Sequence, residues 1–214
     1  MSDGTFDYVR DPQAIYAASF AAIRESCDVS GLPGAMQGIA LRIAHAAGDS
    51  AGIDDLVWSD GAAEAGIAAL NAGAPVLADA RMVADGVIRS ALPANNRVIC
   101  TLGLGTVAGN AARGGTTRSA SAVELWPEFL SGAVVAIGNA PTALFRLLEG
   151  LAAGWPKPAL IVGMPVGYIG AAESKSALSG LAPVPFIALT GQRGGSAVAA
   201  ATVNALARAA REAT

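Results

Sequence analysis

Residues Ala133-Val134-Val135-Ala136-Ile137-Gly138-Asn139-Ala140-Pro141-Thr142 decide the fold. Five consecutive apolar residues have no polar alternation, so both faces of the strand they form must be covered. A glycine-bearing turn follows, and Pro141 then stands where a helix can begin, because its missing N–H would be unpaired there anyway. The same sequence of events recurs along the chain. Short Val- and Ile-rich runs lie at Pro75–Ala78, Val98–Leu102, Ala159–Gly163 and Pro185–Leu189. Between most of them the pattern turns helical, near Thr117–Leu130, Pro141–Ala153 and Glu173–Ser179, with a last helix over about Ser196–Glu212.

Doubly apolar strands alternating with helices predict a parallel sheet with helices packed on both sides, and right-handed crossovers restrict the topologies available. The expectation is a three-layer α/β fold, flavodoxin-like, with a mostly parallel five-stranded sheet and an N-terminal helical segment, in one domain over 1–214. In that segment Asp11 is a plausible N-cap with Pro12 at the first helical position. Ile15, Phe20 and Ile23 supply apolar surface to this first helix. A second begins at Pro33 and carries Met36, Ile39, Ile43 and Ala47 at spacings of three and four, which mark one buried face. Gly48 ends it.

Composition excludes several classes. With 53% hydrophobic and 14% charged residues, the 214-residue chain has the means to close a core. Its mean hydropathy of +0.47 raises the question of a membrane span. Each apolar run is nevertheless broken by Gly, Pro, Asn or Arg before the ~18 residues a span needs. Asn204 and Arg208 interrupt the nearest candidate. Met1–Arg10 lacks a basic start followed by an apolar stretch, so no export signal is expected. Cys27 and Cys100 have no metal-ligand spacing, and two reduced thiols in the cytoplasm is the simplest reading. One histidine and two scattered cysteines give no metal cluster. A net charge of −3 without a basic stripe argues against nucleic acid. Only Lys157 and Lys175 among the basic residues are lysines, and the arginines that remain suit carboxylates and phosphates.

Ligands of such sheets bind beyond the carboxyl ends of the strands. The glycine-rich turns fall there, at Gly138–Thr142, Gly163–Gly167 and Gly191–Ser196. None has the form of a serine elbow. His45, the sole histidine, lies in Arg42-Ile43-Ala44-His45-Ala46-Ala47-Gly48-Asp49, with Arg42 one helical turn before it on the same face. Imidazole exchanges protons near neutral pH, although a lone histidine is more often structural. Asp49 is a candidate to orient the ring. Asp54 and Asp55 are adjacent, so their side chains point apart and a carboxylate dyad is not expected. Gly103-Leu104-Gly105-Thr106-Val107-Ala108-Gly109 is faintly similar to a dinucleotide loop, but its spacing is wrong. Thr116-Thr117-Arg118-Ser119 reads either as a helix cap or as a carboxylate grip by Arg118 beside free N–H groups.

Taken together, these segments resemble the precorrin-8X methylmutase family. The resemblance rests on Tyr8–Ile15 with Ser19-Phe20, Arg42–Gly48, Ala72–Pro75 with Asp79 and Met82-Val83, Thr117–Ala120, Val135–Phe145, Gly163–Lys175 and Arg193–Ser196, in that order along nearly the whole chain. It implies an isomerase of cobalamin (vitamin B12) biosynthesis that moves a methyl group from C11 to C12 of precorrin-8X, giving hydrogenobyrinic acid. His45 is implied as the catalytic acid/base, with Ser19, Arg42, Arg118, Asn139 and Arg193 as substrate-binding residues. It further implies a homodimer, no cofactor, and a possible handover of product to the next pathway enzyme. Two alternatives remain open at this point, a non-catalytic tetrapyrrole carrier and the same reaction on cobalt-precorrin-8. One departure is local: residues 103–115 are rich in Gly and Ala where relatives have a more charged helix.

Overall fold

The computed structural model describes residues 6–212; the reading of Met1–Thr5 lies outside them. Six strands form one sheet: β1 (Leu56–Trp58), β2 (Val76–Ala78), β3 (Val98–Ile99), β4 (Val134–Ile137), β5 (Leu160–Gly163) and β6 (Phe186–Leu189). Their spatial order is β1-β6-β5-β4-β2-β3. All pairs are parallel except β1 with β6. The five expected strands are present in the flavodoxin order, with β3 and β4 on opposite sides of β2. The sixth, β1, adds a short antiparallel edge that the expectation of five strands omitted.

Burial follows the pleat. Val134 and Ala136 enter one apolar cluster and Val135 and Ile137 the other, and all four are inaccessible to solvent. Leu160 and Val162 alternate with Ile161 in the same way, as do Ile187 and Leu189 with Phe186 and Ala188. Each fully buried large aliphatic side chain contributes roughly 1.5–3 kcal/mol. Strands loaded on both faces therefore stay inside only because both faces are covered.

One face carries α2 (Ala35–Ala47), α3 (Ala62–Asn71), α4 (Arg81–Gly86) and α10 (Ser196–Glu212). The other carries α6 (Arg118–Val123), α7 (Pro127–Leu130), α8 (Pro141–Ala152) and α9 (Ala171–Leu181). The helix expected over Thr117–Leu130 is thus two, separated before Pro127, where a proline cannot continue the preceding helix. Trp126 is fully buried there, and its indole N–H donates to Thr101, whose hydroxyl donates in turn to the Ala122 carbonyl. The stretch that resembled a dinucleotide loop enters α5 (Gly105–Arg113), so its glycines begin a helix instead of cradling a phosphate.

The N-terminal segment is α1 (Pro12–Ser26), which rests on α2. Asp11 caps it as expected, accepting from the Ala14 N–H at 2.8 Å. Of its apolar residues only Phe20 is buried, while Ile15 remains 48% exposed. In α2, Met36, Ile39 and Ile43 face the core as the spacing predicts, and Gly48 closes the helix in the left-handed conformation. Ala47 is exposed. Among the described residues no helix is long and apolar enough to cross a membrane.

Candidate active site

His45 projects from the last turn of α2 toward α1. Tyr16, Ser19 and Phe20 stand on one face of α1 at positions i, i+3 and i+4, and they meet Arg42 and His45 at i and i+3 of α2. Ser19 Oγ and His45 Nδ1 are 2.9 Å apart. The Phe20 ring stacks on the imidazole, with centroids 5.2 Å apart and planes 21° from parallel. Arg42 donates to the Tyr16 hydroxyl at 2.6 Å, and its guanidinium carbon lies 5.6 Å from the Phe20 ring centre. Serine, histidine and arginine were expected at this site; Tyr16 and Phe20, which orient the last two, were not assigned to it.

The chemistry follows from the pairing at Nδ1. A hydroxyl both donates and accepts, so Ser19 satisfies Nδ1 in either tautomer. When Ser19 accepts from Nδ1–H, Nε2 presents a lone pair; when it donates, Nε2 carries the proton. Among the described residues no hydrogen bond occupies Nε2, and the side chain is exposed. The ring is therefore fixed in orientation yet able to act as acid or as base.

Asp49 does not orient the imidazole. One of its carboxylate oxygens accepts from the Ala51 N–H, and the other pairs with Arg193. The Ala51 bond, and then the Arg193 charge, hold the Asp49 carboxyl below its ordinary value. Arg193 also reaches Asp55 at 3.4 Å. Asp55 also accepts from the Thr190 hydroxyl. Arg193 thus ties the end of α2, four residues past His45, to the turn after β6.

That turn is itself fixed. Gly195 N–H donates to the Met164 carbonyl at 2.9 Å, and Gly167 N–H donates to Gln192. Gly194 has φ +154, and a Cβ on it would fall 2.3 Å from the Met164 carbonyl oxygen, so only glycine fits. Beneath lies Lys175, 1% exposed, whose ammonium donates to the Arg193 carbonyl. Burial lowers its pKa to about 8. Neither the pairing of Arg193 nor the burial of Lys175 was legible in the sequence, because both depend on loops 18 or more residues apart.

Arg118 and Asn139 form a second group, at the carboxyl ends of β2 and β4, where the chain leaves β2 for one side of the sheet and β4 for the other. Asp79 ends β2, and its carboxylate accepts from the Gly138, Asn139 and Ala140 N–H groups at 3.0, 3.0 and 2.8 Å. Burial pushes the Asp79 carboxyl up, against the downward pull of those three donors. Asn139 is held in place by its backbone, and its side chain is exposed. Thr117 caps α6, accepting from Ala120, and its hydroxyl meets that of Thr142 on α8 at 2.7 Å. Arg118, exposed at the first position of α6, therefore stands beside the Asn139 turn. Among the described residues no hydrogen bond or ion pair joins this group to His45.

Comparison with known proteins identifies the family and the fold. The family model for precorrin-8X methylmutase matches residues 14–209. The precorrin-8X methylmutase of Pseudomonas aeruginosa is 58% identical over 202 residues, covering 94% of this chain and 97% of the relative. That of a Sinorhizobium species is 53% identical over 204 residues, covering 95% and 97%. Among solved structures, the precorrin-8x methyl mutase of Thermus thermophilus superposes with a TM-score of 0.86 at 37% identity, covering 94% of this chain and 97% of the other. The chain belongs to the precorrin-8X methylmutase family.

Proposed function

We propose that the chain moves the methyl group of precorrin-8X from C11 to C12, yielding hydrogenobyrinic acid, with His45 as the acid/base. As a member of its family it is a methylmutase, an isomerase. The finer reading is carried by the pairing of His45 Nδ1 with the Ser19 hydroxyl, 2.9 Å apart, which leaves Nε2 for the ligand. In the rearrangement one C–C bond breaks at C11 and one forms at C12, with no change in composition or oxidation level. Protonating a ring nitrogen draws electron density from the conjugated system and favours migration; the same imidazole then takes a proton back. A well-placed acid/base contributes roughly 10²–10⁴-fold.

Ser19, Arg42, Arg118, Asn139 and Arg193 are proposed to bind substrate. Arg42 is suited to a carboxylate because its aromatic surroundings leave its charge unneutralised. Arg193 must exchange Asp49 or Asp55 for a substrate carboxylate if it takes part. The metal-free substrate is favoured because the relatives at 58% and 53% identity are named for precorrin-8X itself. We further propose a homodimer. In support, α1 buries only Phe20 and leaves Ile15 and Tyr16 exposed, as are Tyr8 and Val9 just before it, all at 40% or more. A cytoplasmic setting accords with the two free thiols, Cys27 and Cys100, and handover of product to the next enzyme remains part of the proposal.

The experiment is incubation with precorrin-8X labelled with ¹³C at the C11 methyl. The expected result is movement of the label to C12, followed by carbon NMR. Binding without movement of the label, for the metal-free and cobalt forms alike, overturns the catalytic reading in favour of a carrier.

A further inference from the structure

Two adjoining cavities of about 440 and 490 Å³ share Tyr16, Arg42, Arg208 and Glu212. Arg24 lines the first and Arg211 the second. One continuous trough between α1, α2 and the end of α10 therefore gathers Arg24, Arg42, Arg208 and Arg211. The chain is acidic overall and has 12 arginines, so a third of them line this one feature. Among the described residues one lining carboxylate stands against them, Glu212, which Arg208 meets at 2.8 Å. Arg211 is oriented by donating to the Ser90 carbonyl. Arg24 and Arg211 are exposed and carry no carboxylate partner among the described residues, whereas Arg208 must share its charge between Glu212 and a ligand.

The geometry points to this trough as a subsite for the carboxylate-bearing side arms of the macrocycle, with Arg24, Arg208 and Arg211 as specificity residues beyond Arg42. The inference rests on the proposed corrin-precursor substrate. Arginine forks pair bidentately with carboxylates. Four of them around one trough discriminate a polycarboxylate from a ligand whose arms are neutral. Arg42 connects the trough to the reacting side, since it neighbours both Tyr16 and the Phe20 ring that stacks on His45. An arm held in the trough would thereby fix the macrocycle relative to the imidazole.

Hydrogenobyrinic acid is the probe, titrated by absorbance at several salt concentrations. Arg208→Ala/Arg211→Ala and Arg24→Ala should each weaken binding, the double variant by about tenfold or more, and should flatten its salt dependence. Their kinetic loss should fall on KM more than on kcat. Glu212→Gln removes the lining carboxylate and should tighten binding about twofold or more, a direction that misfolding does not produce. Arg146→Ala, which breaks a pair with Glu124 on the opposite layer, serves as control and should change nothing. Unchanged affinity and salt dependence in the double variant, or an equal loss in Arg146→Ala, overturns the subsite. If wild type neither binds the product nor converts precorrin-8X, the substrate reading fails and the subsite with it; conversion by wild type with indifferent variants refutes the subsite alone.

Discussion

His45 differs from a structural histidine in what surrounds each ring nitrogen. A buried structural ring satisfies both nitrogens within the fold. Here Nδ1 meets a hydroxyl that serves either tautomer, and among the described residues no hydrogen bond occupies Nε2 of the exposed ring. Ser19→Ala should therefore lower kcat about tenfold, since it removes the group that orients the ring, with a smaller effect on KM. Steady-state kinetics on precorrin-8X checks this; a rise in KM at constant kcat would make Ser19 only a binding residue. The identities of Ser19, Arg42 and His45 were legible through colinear motifs, and Arg42 and His45 also through their helical spacing. Tyr16 and Phe20 share the helical face of Ser19, so spacing offered a signal for them. Their partners became evident only once α1 was seen to lie against α2. Arg193 was read as a substrate residue, and the fold gives it two carboxylate partners first.

Among the elements, the turn after β4 depends on a side chain from β2. Asp79→Ala would leave the Gly138, Asn139 and Ala140 N–H groups without their acceptor, at a cost of about 3 kcal/mol. Urea unfolding should register that loss, whereas a change below 0.5 kcal/mol, the ordinary range for a surface substitution, would mean water replaces the carboxylate without penalty. Gly138→Ala should also destabilise the protein, because its Cβ would lie 2.9 Å from the Gly195 carbonyl and from Ser196 Cα, both backbone. The elements that sequence made plain were those with unambiguous chemistry: doubly apolar strands, and helices opened by Asp11-Pro12 or Pro141. Those left unread had weak signals. The edge strand β1 has three residues, α3 is half alanine, whose uniformity hides any period, and the glycines at and around the start of α5 gave the impression of a loop.

For the whole molecule, two features govern stability and assembly. Lys175 is buried with its pKa lowered from 10.5 to about 8. The unfolded chain thus binds more protons at this site between those values, and folding stability from this group rises as pH climbs through that window. Its hydrogen bond survives the change, because a neutral amine still donates to the Arg193 carbonyl. Denaturation of wild type and Lys175→Met across pH 7–10.5 should show wild type gaining on the variant as pH rises above about 8; parallel curves would mean that the ammonium is solvated. The exposed apolar surface of α1 predicts a dimer in sedimentation at micromolar concentration, and a monomer under those conditions would contradict the assembly. That the sheet order emerged as expected reflects strong constraints, since right-handed crossovers between doubly apolar strands admit few arrangements.

The role of His45 in moving protons during methyl migration is measured by turnover of metal-free precorrin-8X with wild type and His45→Ala in parallel. That role requires conversion by wild type, a loss of about 10² or more in kcat for the variant, and an unchanged melting transition with product binding retained. A natively folded His45→Ala enzyme that turns over within tenfold of wild type would contradict it.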